Sequence, residues 1–326
     1  MKYIWENPEI IKENKEDGHA LALCYDTADG AAKRSASAYK LSLNGTWKFF
    51  WYKGVGSLPE KFRAVDFDDS EWEDITVPGV WQFQKDYTKP WYYANSYPNC
   101  ISVDKKKIPC IDIAGQEVAM HRTTFTLPEN WDGREIFLHF GACKAGLAVY
   151  VNGEYVGYSQ GSFTPHEFDV TKFVHEGVNT VAAEVYRYTD GTYLEDQDFF
   201  RFSGLARDTY VFSREKKRIE DINVVASADG KADVKVRLTK GVTEVALEIL
   251  DPADKTVASM RVPVKGMEAD AVLQVPSVRQ WSAETPWLYT LKVASFDKKG
   301  QTESTSIQIG FRDVAIVDGQ LLVNGK

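Results

Sequence analysis

The amino-acid sequence predicts an all-β protein built as a jelly-roll β-sandwich followed by an immunoglobulin-like β-sandwich. Short runs of alternating apolar and polar residues recur along the chain with turn residues between them. Alternation with a period of two marks strands that bury one face. In Leu147-Ala148-Val149-Tyr150-Val151-Asn152-Gly153-Glu154-Tyr155-Val156-Gly157-Tyr158 two such runs flank Asn-Gly, the strongest short hairpin signal. A length of 326 residues favours two domains, each large enough to bury a core without metals or disulfides.

Residues 1–40 carry Asp, Gly, Ala and Lys clusters and no sustained helical period, so they read as an extended arm packed on a neighbour. Residues 41–215 form the first sandwich. Its strands are expected around Leu41–Phe49, Trp72–Val77, Met120–Leu127, Glu135–Phe140, the Asn152-Gly153 hairpin, Phe163–Asp169, Asn179–Tyr188 and Asp208–Phe212. About eight to ten strands joined by long loops suggest a jelly roll. Arg214-Glu215-Lys216-Lys217-Arg218 reads as a solvated joint. Residues 216–326 then show seven short strands, at Ile219–Ala226, Ala232–Thr239, Glu244–Leu250, Thr256–Val264, Ala271–Val275, Leu288–Phe296 and Thr302–Ile309. That cadence is immunoglobulin-like, and the lack of any cysteine after Cys143 excludes an antibody-type Cys-Trp-Cys framework.

Aromatic residues make up 13% of the chain, with nine Trp, sixteen Tyr and seventeen Phe, which suits a thick β core or stacking on sugars. A net charge of −8 argues against nucleic acid or an anionic membrane as partner, because both require clustered Lys and Arg. No stretch approaches the roughly 18 apolar residues of a membrane span, and Met1 to Pro8 has no apolar signal core. A soluble protein is expected, cytoplasmic or periplasmic. Cys24, Cys100, Cys110 and Cys143 show no Cys-x-x-Cys spacing and read as reduced thiols. The last residues form a strand followed by Asn324-Gly325, a turn dipeptide, so the chain reads as the front portion of something larger.

The densest polar segment runs from Arg187 to Gly204 and places Asp190, Glu195, Asp196 and Asp198 within nine residues beside aromatics. Such a cluster can bind a cation or sugar hydroxyls, or it can be a solvated loop in which Asp190-Gly191 merely forms a turn. Nothing in the chain nominates an acid and a nucleophile for glycoside hydrolysis. Trp81 reads as a core residue, Tyr92 and Tyr93 stay open between stacking and packing, and His121, His139 and His166 show no metal spacing.

Several strings resemble the front third of a glycoside hydrolase family 2 β-galactosidase. They are Trp5-Glu6-Asn7-Pro8, Leu43-Asn44-Gly45-Thr46-Trp47-Lys48-Phe49, Val77-Pro78-Gly79-Val80-Trp81-Gln82 and the hairpin at Asn152-Gly153. Most specific is Asp190-Gly191-Thr192-Tyr193-Leu194-Glu195-Asp196-Gln197-Asp198 with Arg201-Phe202-Ser203-Gly204. Later, Trp281 to Tyr289 and Gly310-Phe311-Arg312-Asp313-Val314 resemble the end of the family's second domain.

The resemblance implies a sugar-binding jelly roll, an immunoglobulin-like domain and, past Lys326, a barrel with two catalytic glutamates for retaining hydrolysis of β-galactosides. Neither glutamate is in this chain, so the chain alone is expected to be inactive. Asp190 matches the family aspartate that bonds sugar hydroxyls and helps bind sodium, two tasks that suit a carboxylate. The family asparagine in the loop before Tyr97-Pro98 falls on Ala94, while Asn95 stands one residue later. Either the loop shifts so that Asn95 reaches the sugar, or the contact is missing. Glu195 and Asp198 are expected to hold Arg187 or Arg201 and so shape the loop that carries Asp190. Sodium and magnesium are expected for the whole enzyme, with the magnesium ligands mostly elsewhere. Expected partners are a β-galactoside, the remainder of the polypeptide and a second copy of the chain. The rival readings are a stand-alone carbohydrate-binding module and a family 2 enzyme for glucuronides or mannosides.

Overall fold

The computed structural model describes residues 3–20, 23–25, 27–34, 36–54, 60–93 and 108–326. The chain divides into two compact units, one of residues 1–17 with 41–212 and one of residues 18–40 with 213–326.

The strands of the first unit, in chain order, are β1 (Lys12–Glu13), β2 (Lys40–Ser42), β3 (Gly45–Lys53), β4 (Glu73–Val77), β5 (Tyr92–Tyr93), β6 (Glu117–Thr126), β7 (Glu135–Phe140) and β8 (Cys143–Lys144). They continue with β9 (Gly146–Val151), β10 (Glu154–Gln160), β11 (His166–Asp169), β12 (Val178–Tyr186), β13 (Phe199–Phe200), β14 (Gly204–Leu205) and β15 (Thr209–Arg214). A seven-stranded sheet in the order β1-β10-β9-β12-β6-β3-β4 and a four-stranded sheet in the order β11-β7-β15-β2 make the jelly-roll sandwich. Two ribbons, β13-β5 and β14-β8, stand beside them. Asn152 and Gly153 turn the β9–β10 hairpin at φ 50° and 85°, the left-handed pair that a two-residue hairpin turn demands.

The centre of the large sheet is buried on both faces. On β12, Val181, Ala183 and Val185 alternate with Ala182, Glu184 and Tyr186, and all six are buried. Ala182 and Tyr186 belong to a second cluster with Trp5, Phe62, Met120, Tyr150, Tyr158, Tyr188 and Tyr193. An outer face that would otherwise be solvated is therefore closed by the start of the chain and by aromatic side chains, and β12 carries no polar alternation.

The second unit is a sandwich of a three-stranded sheet (Ile219–Ala226, Lys231–Leu238, Glu268–Gln274) and a four-stranded sheet (Thr256–Pro263, Glu244–Leu250, Tyr289–Asp297, Gly300–Ile309). Alternate residues such as Val234, Val236 and Leu238 meet Val245, Leu247 and Ile249 in one core. A hairpin of Val314–Val317 and Gln320–Val323 follows. The segment read as an extended arm contains a helix at Ala28–Lys33. Thr27 caps it by accepting from Gly30 N, and Arg34 ends it at φ 50°. Six residues are too few to show a period, so the cap was the available signal. Arg214, read as part of a solvated joint, is instead buried against Glu303.

Candidate functional site

The polar segment begins where the β6–β12 ladder ends. Tyr186 pairs with Val118, and Arg187 N then donates to Glu117 O at 2.9 Å. Gln116 grips Tyr188 from both sides, its Oε1 accepting from Tyr188 N at 3.1 Å and its Nε2 donating to Tyr188 O at 2.8 Å. Thr189 N donates to Thr192 Oγ1 at 2.9 Å and opens a single helical turn, Thr192–Glu195. Asp190 sits between these features, with its N–H donating to Trp5 O at 2.8 Å.

The Asp190 carboxylate is nearly buried, and its Oδ1 accepts from Gln160 Nε2 at 2.7 Å. Among the described residues no other side chain hydrogen-bonds to it. Gly191 adopts ordinary right-handed geometry (φ −62°, ψ −23°), which any residue could take. Its lack of a side chain is a matter of room, since a Cβ there would lie 3.2 Å from Gln160 Oε1 and 3.3 Å from Thr189 Oγ1.

The remaining carboxylates of the segment each have a partner within the chain. Glu195 receives Ser162 N at 2.9 Å and Ser162 Oγ at 2.6 Å, tying the helical turn to the loop after β10. Asp196 is buried beside Lys144 Nζ and 3.5 Å from Arg201 Nη1. Asp198 is exposed and accepts from the Tyr92 hydroxyl. The expectation that Glu195 and Asp198 hold Arg187 or Arg201 is therefore corrected. Arg187 pairs with Glu117 at 2.5 Å, and Glu117 also accepts from Trp51 Nε1 at 3.1 Å and Thr88 Oγ1 at 3.2 Å. Glu117 reaches Arg187 through the register of the ladder, which neighbours in sequence do not reveal.

Two strings far apart in sequence meet beside this segment. Gly79 N donates to Leu205 O at 2.7 Å, Trp81 N to Ser203 O at 3.1 Å, and Ser203 N to Gln82 Oε1 at 2.9 Å. Trp81 is fully buried, as a core residue should be. Tyr87 stacks on Trp51 at 4.8 Å, whereas Tyr92 is half exposed beside Phe200 at 5.1 Å. Ala94, Asn95, Tyr97 and Cys100 lie outside the described residues, as does the side chain of Tyr93. His121, His139 and His166 are all buried, and among the described residues Cys24, Cys110 and Cys143 form no disulfide. Among the described residues no three His, Cys, Asp or Glu side chains are grouped to hold a metal ion, and no helix is long and apolar enough to cross a membrane. Gln160, Ser162, Lys144 and Glu117 escape a reading of the sequence, because no local signal marks them.

Residues 41–215 match the model of the glycosyl hydrolases family 2 sugar binding domain, and residues 217–312 match that of glycosyl hydrolases family 2. The chain is 34% identical to a β-galactosidase of Priestia megaterium over 98% of its own length and 33% of that protein. It is 33% identical to a β-galactosidase of Psychromonas ingrahamii over 99% of its length and 32% of that protein. It thus spans about a third of the length of these curated relatives. A β-glucuronidase of Bifidobacterium dentium shares the fold with a TM-score of 0.69 at 20% identity, over 90% of this chain and 52% of that one. The two sandwiches, the matched domain models and relatives aligned along nearly the whole chain agree: this chain belongs to glycosyl hydrolase family 2.

Proposed function

We propose that this chain is the non-catalytic, sugar-binding part of a retaining β-galactosidase, and that Asp190 accepts hydrogen bonds from the hydroxyls of a terminal β-galactoside. The observation that carries the reading is the Asp190 carboxylate, held at Oδ1 by Gln160 while no described side chain engages Oδ2. A rigid carboxylate with one uncommitted oxygen suits a vicinal pair of sugar hydroxyls. The same oxygen could serve a sodium ion, a hard cation that takes oxygen ligands. Among the described residues Asp190 would be a single ligand to such an ion.

The charges around the segment favour a neutral sugar over a uronate. Lys144 and Arg201 lie against Asp196, and Arg187 is matched by Glu117. A glucuronide carboxylate brought to Asp190 would meet like charge. Retaining hydrolysis requires two carboxyls about 5–5.5 Å apart across the scissile bond, which we place in the part of the polypeptide beyond Lys326. Two measurements test the reading. The chain alone should not hydrolyse an aryl β-galactoside, and Asp190→Asn in the longer polypeptide should lower kcat/KM about 10- to 100-fold, the worth of a hydrogen bond to a charged group. Turnover by the chain alone, or an unaltered kcat/KM in the variant, would refute it.

A stand-alone carbohydrate-binding module is the second reading. Trp91 and Tyr92, each about half exposed, favour it as stacking faces for a pyranose. Affinity of the chain alone for galactosides, abolished by Trp91→Ala, would support that module.

A further inference from the structure

We infer that Gln160 is a positioning residue for Asp190, selecting which of its two carboxylate oxygens faces the ligand. The inference rests on the sugar-binding reading of Asp190. Gln160 is the last residue of β10, its N–H donates to Ile11 O at 3.0 Å, and its side chain is part-buried. The backbone beneath the amide is therefore fixed.

Two ties join the same pair of segments and close a ring. Gln160 Nε2 reaches Asp190 Oδ1 at 2.7 Å, and two residues further along Ser162 donates twice to Glu195, at 2.9 and 2.6 Å. Glu195 ends the helical turn that Asp190 precedes, so neither segment can shift without breaking a bond of the other. Gly191 keeps this ring tight, because a Cβ would press on Gln160 Oε1. An amide donor on Oδ1 costs the ligand nothing: it leaves Oδ2 as the acceptor for a hydroxyl or a cation. Without it the carboxylate rotates about χ2, a soft torsion, and the binding geometry is lost.

The test compares Gln160→Leu, Gln160→Glu and Asp190→Asn in the polypeptide that hydrolyses galactosides. Gln160→Leu should lower kcat/KM about tenfold. Gln160→Glu places two carboxyls at hydrogen-bond distance, and such a pair shares one proton. At acid pH the introduced carboxylic acid would donate as the amide does, and activity should approach that of the parent. As pH rises the shared proton leaves, the two charges repel, and activity should fall about tenfold below the parent. A profile parallel to the parent's, with Asp190→Asn still impaired, overturns the inference and spares the sugar-binding reading. An Asp190→Asn variant with full activity overturns both. Should Gln160→Leu not fold, the isosteric Gln160→Glu profile decides alone.

Discussion

Arg214 and Glu303 meet through two parallel hydrogen bonds, Nε to Oε1 at 2.6 Å and Nη2 to Oε2 at 2.8 Å, with both side chains buried. Glu303 Oε2 also accepts from Ile219 N at 3.0 Å, and Arg214 Nη2 donates to Ile219 O, so the pair pins the start of the second sandwich. Burial works to raise the Glu303 carboxyl, yet the Arg214 charge and these hydrogen bonds outweigh it and hold the group below its ordinary value. Its stabilisation is therefore present above the unfolded carboxylate pKa and lost as pH falls through the folded one. Glu303→Ala strands a buried guanidinium and should cost about 3–5 kcal/mol, a fall of about 10 °C in the unfolding midpoint. Replacing both partners by Leu and Met should cost much less. A double variant as unstable as Glu303→Ala would show that the charges contribute more than their mutual satisfaction.

Gly204 should tolerate no side chain. Its φ of 143° is closed to L-residues, and a Cβ would stand 2.4 Å from Gly79 O. The close approach is what lets Ser203 and Leu205 bond the Gly79–Gln82 segment. Gly204→Ala should cost roughly 3 kcal/mol or more, read from urea unfolding of the chain. Gly45→Ala serves as a control, because its φ of 135° lies in the same region while its Cβ meets nothing within 4 Å. The difference between the two isolates the clash. Equal losses would show that backbone strain alone accounts for both.

Two buried histidines make the first sandwich acid-sensitive. Burial lowers His121 to about 4 and His166 to about 3, so both stay neutral in the folded state where the unfolded chain, near 6.5, binds protons. Between those values the unfolded state holds more protons, and stability rises with pH. The two together should cost about 4 kcal/mol on going from neutral pH to about pH 5. His121→Gln should remove about half of that dependence in a plot of unfolding free energy against pH. A slope unaffected by the substitution would assign the acid sensitivity to other groups.

How much of this was legible in the sequence depended on how far away each residue's partner lay. Ile219–Ala226 and Glu244–Leu250 read from alternation alone coincide with the observed strands, because a buried face imposes its own period. The acidic run read ambiguously for the opposite reason. Ser162 lies 33 residues from Glu195, Gln160 lies 30 from Asp190, and Glu303 lies 89 from Arg214. Composition cannot tell a solvated carboxylate from one whose donor arrives from another strand. The family resemblance pointed at Asp190, but the ring that holds it became visible only once β10 and the segment after β12 were placed side by side.

The hairpin turn at Asn152-Gly153 separates what a local signal says from what the fold uses. Turn chemistry alone ranks glycine as a good substitute at the first position, because φ there is 50°. The Asn152 side chain does more than accept that conformation. Its Nδ2 donates to Phe173 O and Asn179 Oδ1, both at 2.8 Å, and its Oδ1 accepts from Thr180 N at 2.9 Å. Asn179 in turn accepts from His175 N at 2.9 Å and donates to His175 O at 2.8 Å, so the turn organises the segment from Phe173 to Thr180 that leads into β12. Asn152→Gly keeps the turn and removes three hydrogen bonds, which should cost about 3 kcal/mol. Hydrogen exchange should then show lost protection at Thr180 and His175 while the β9–β10 ladder remains protected. Retention of full stability by Asn152→Gly would mean that the residue is present for its backbone conformation and nothing else.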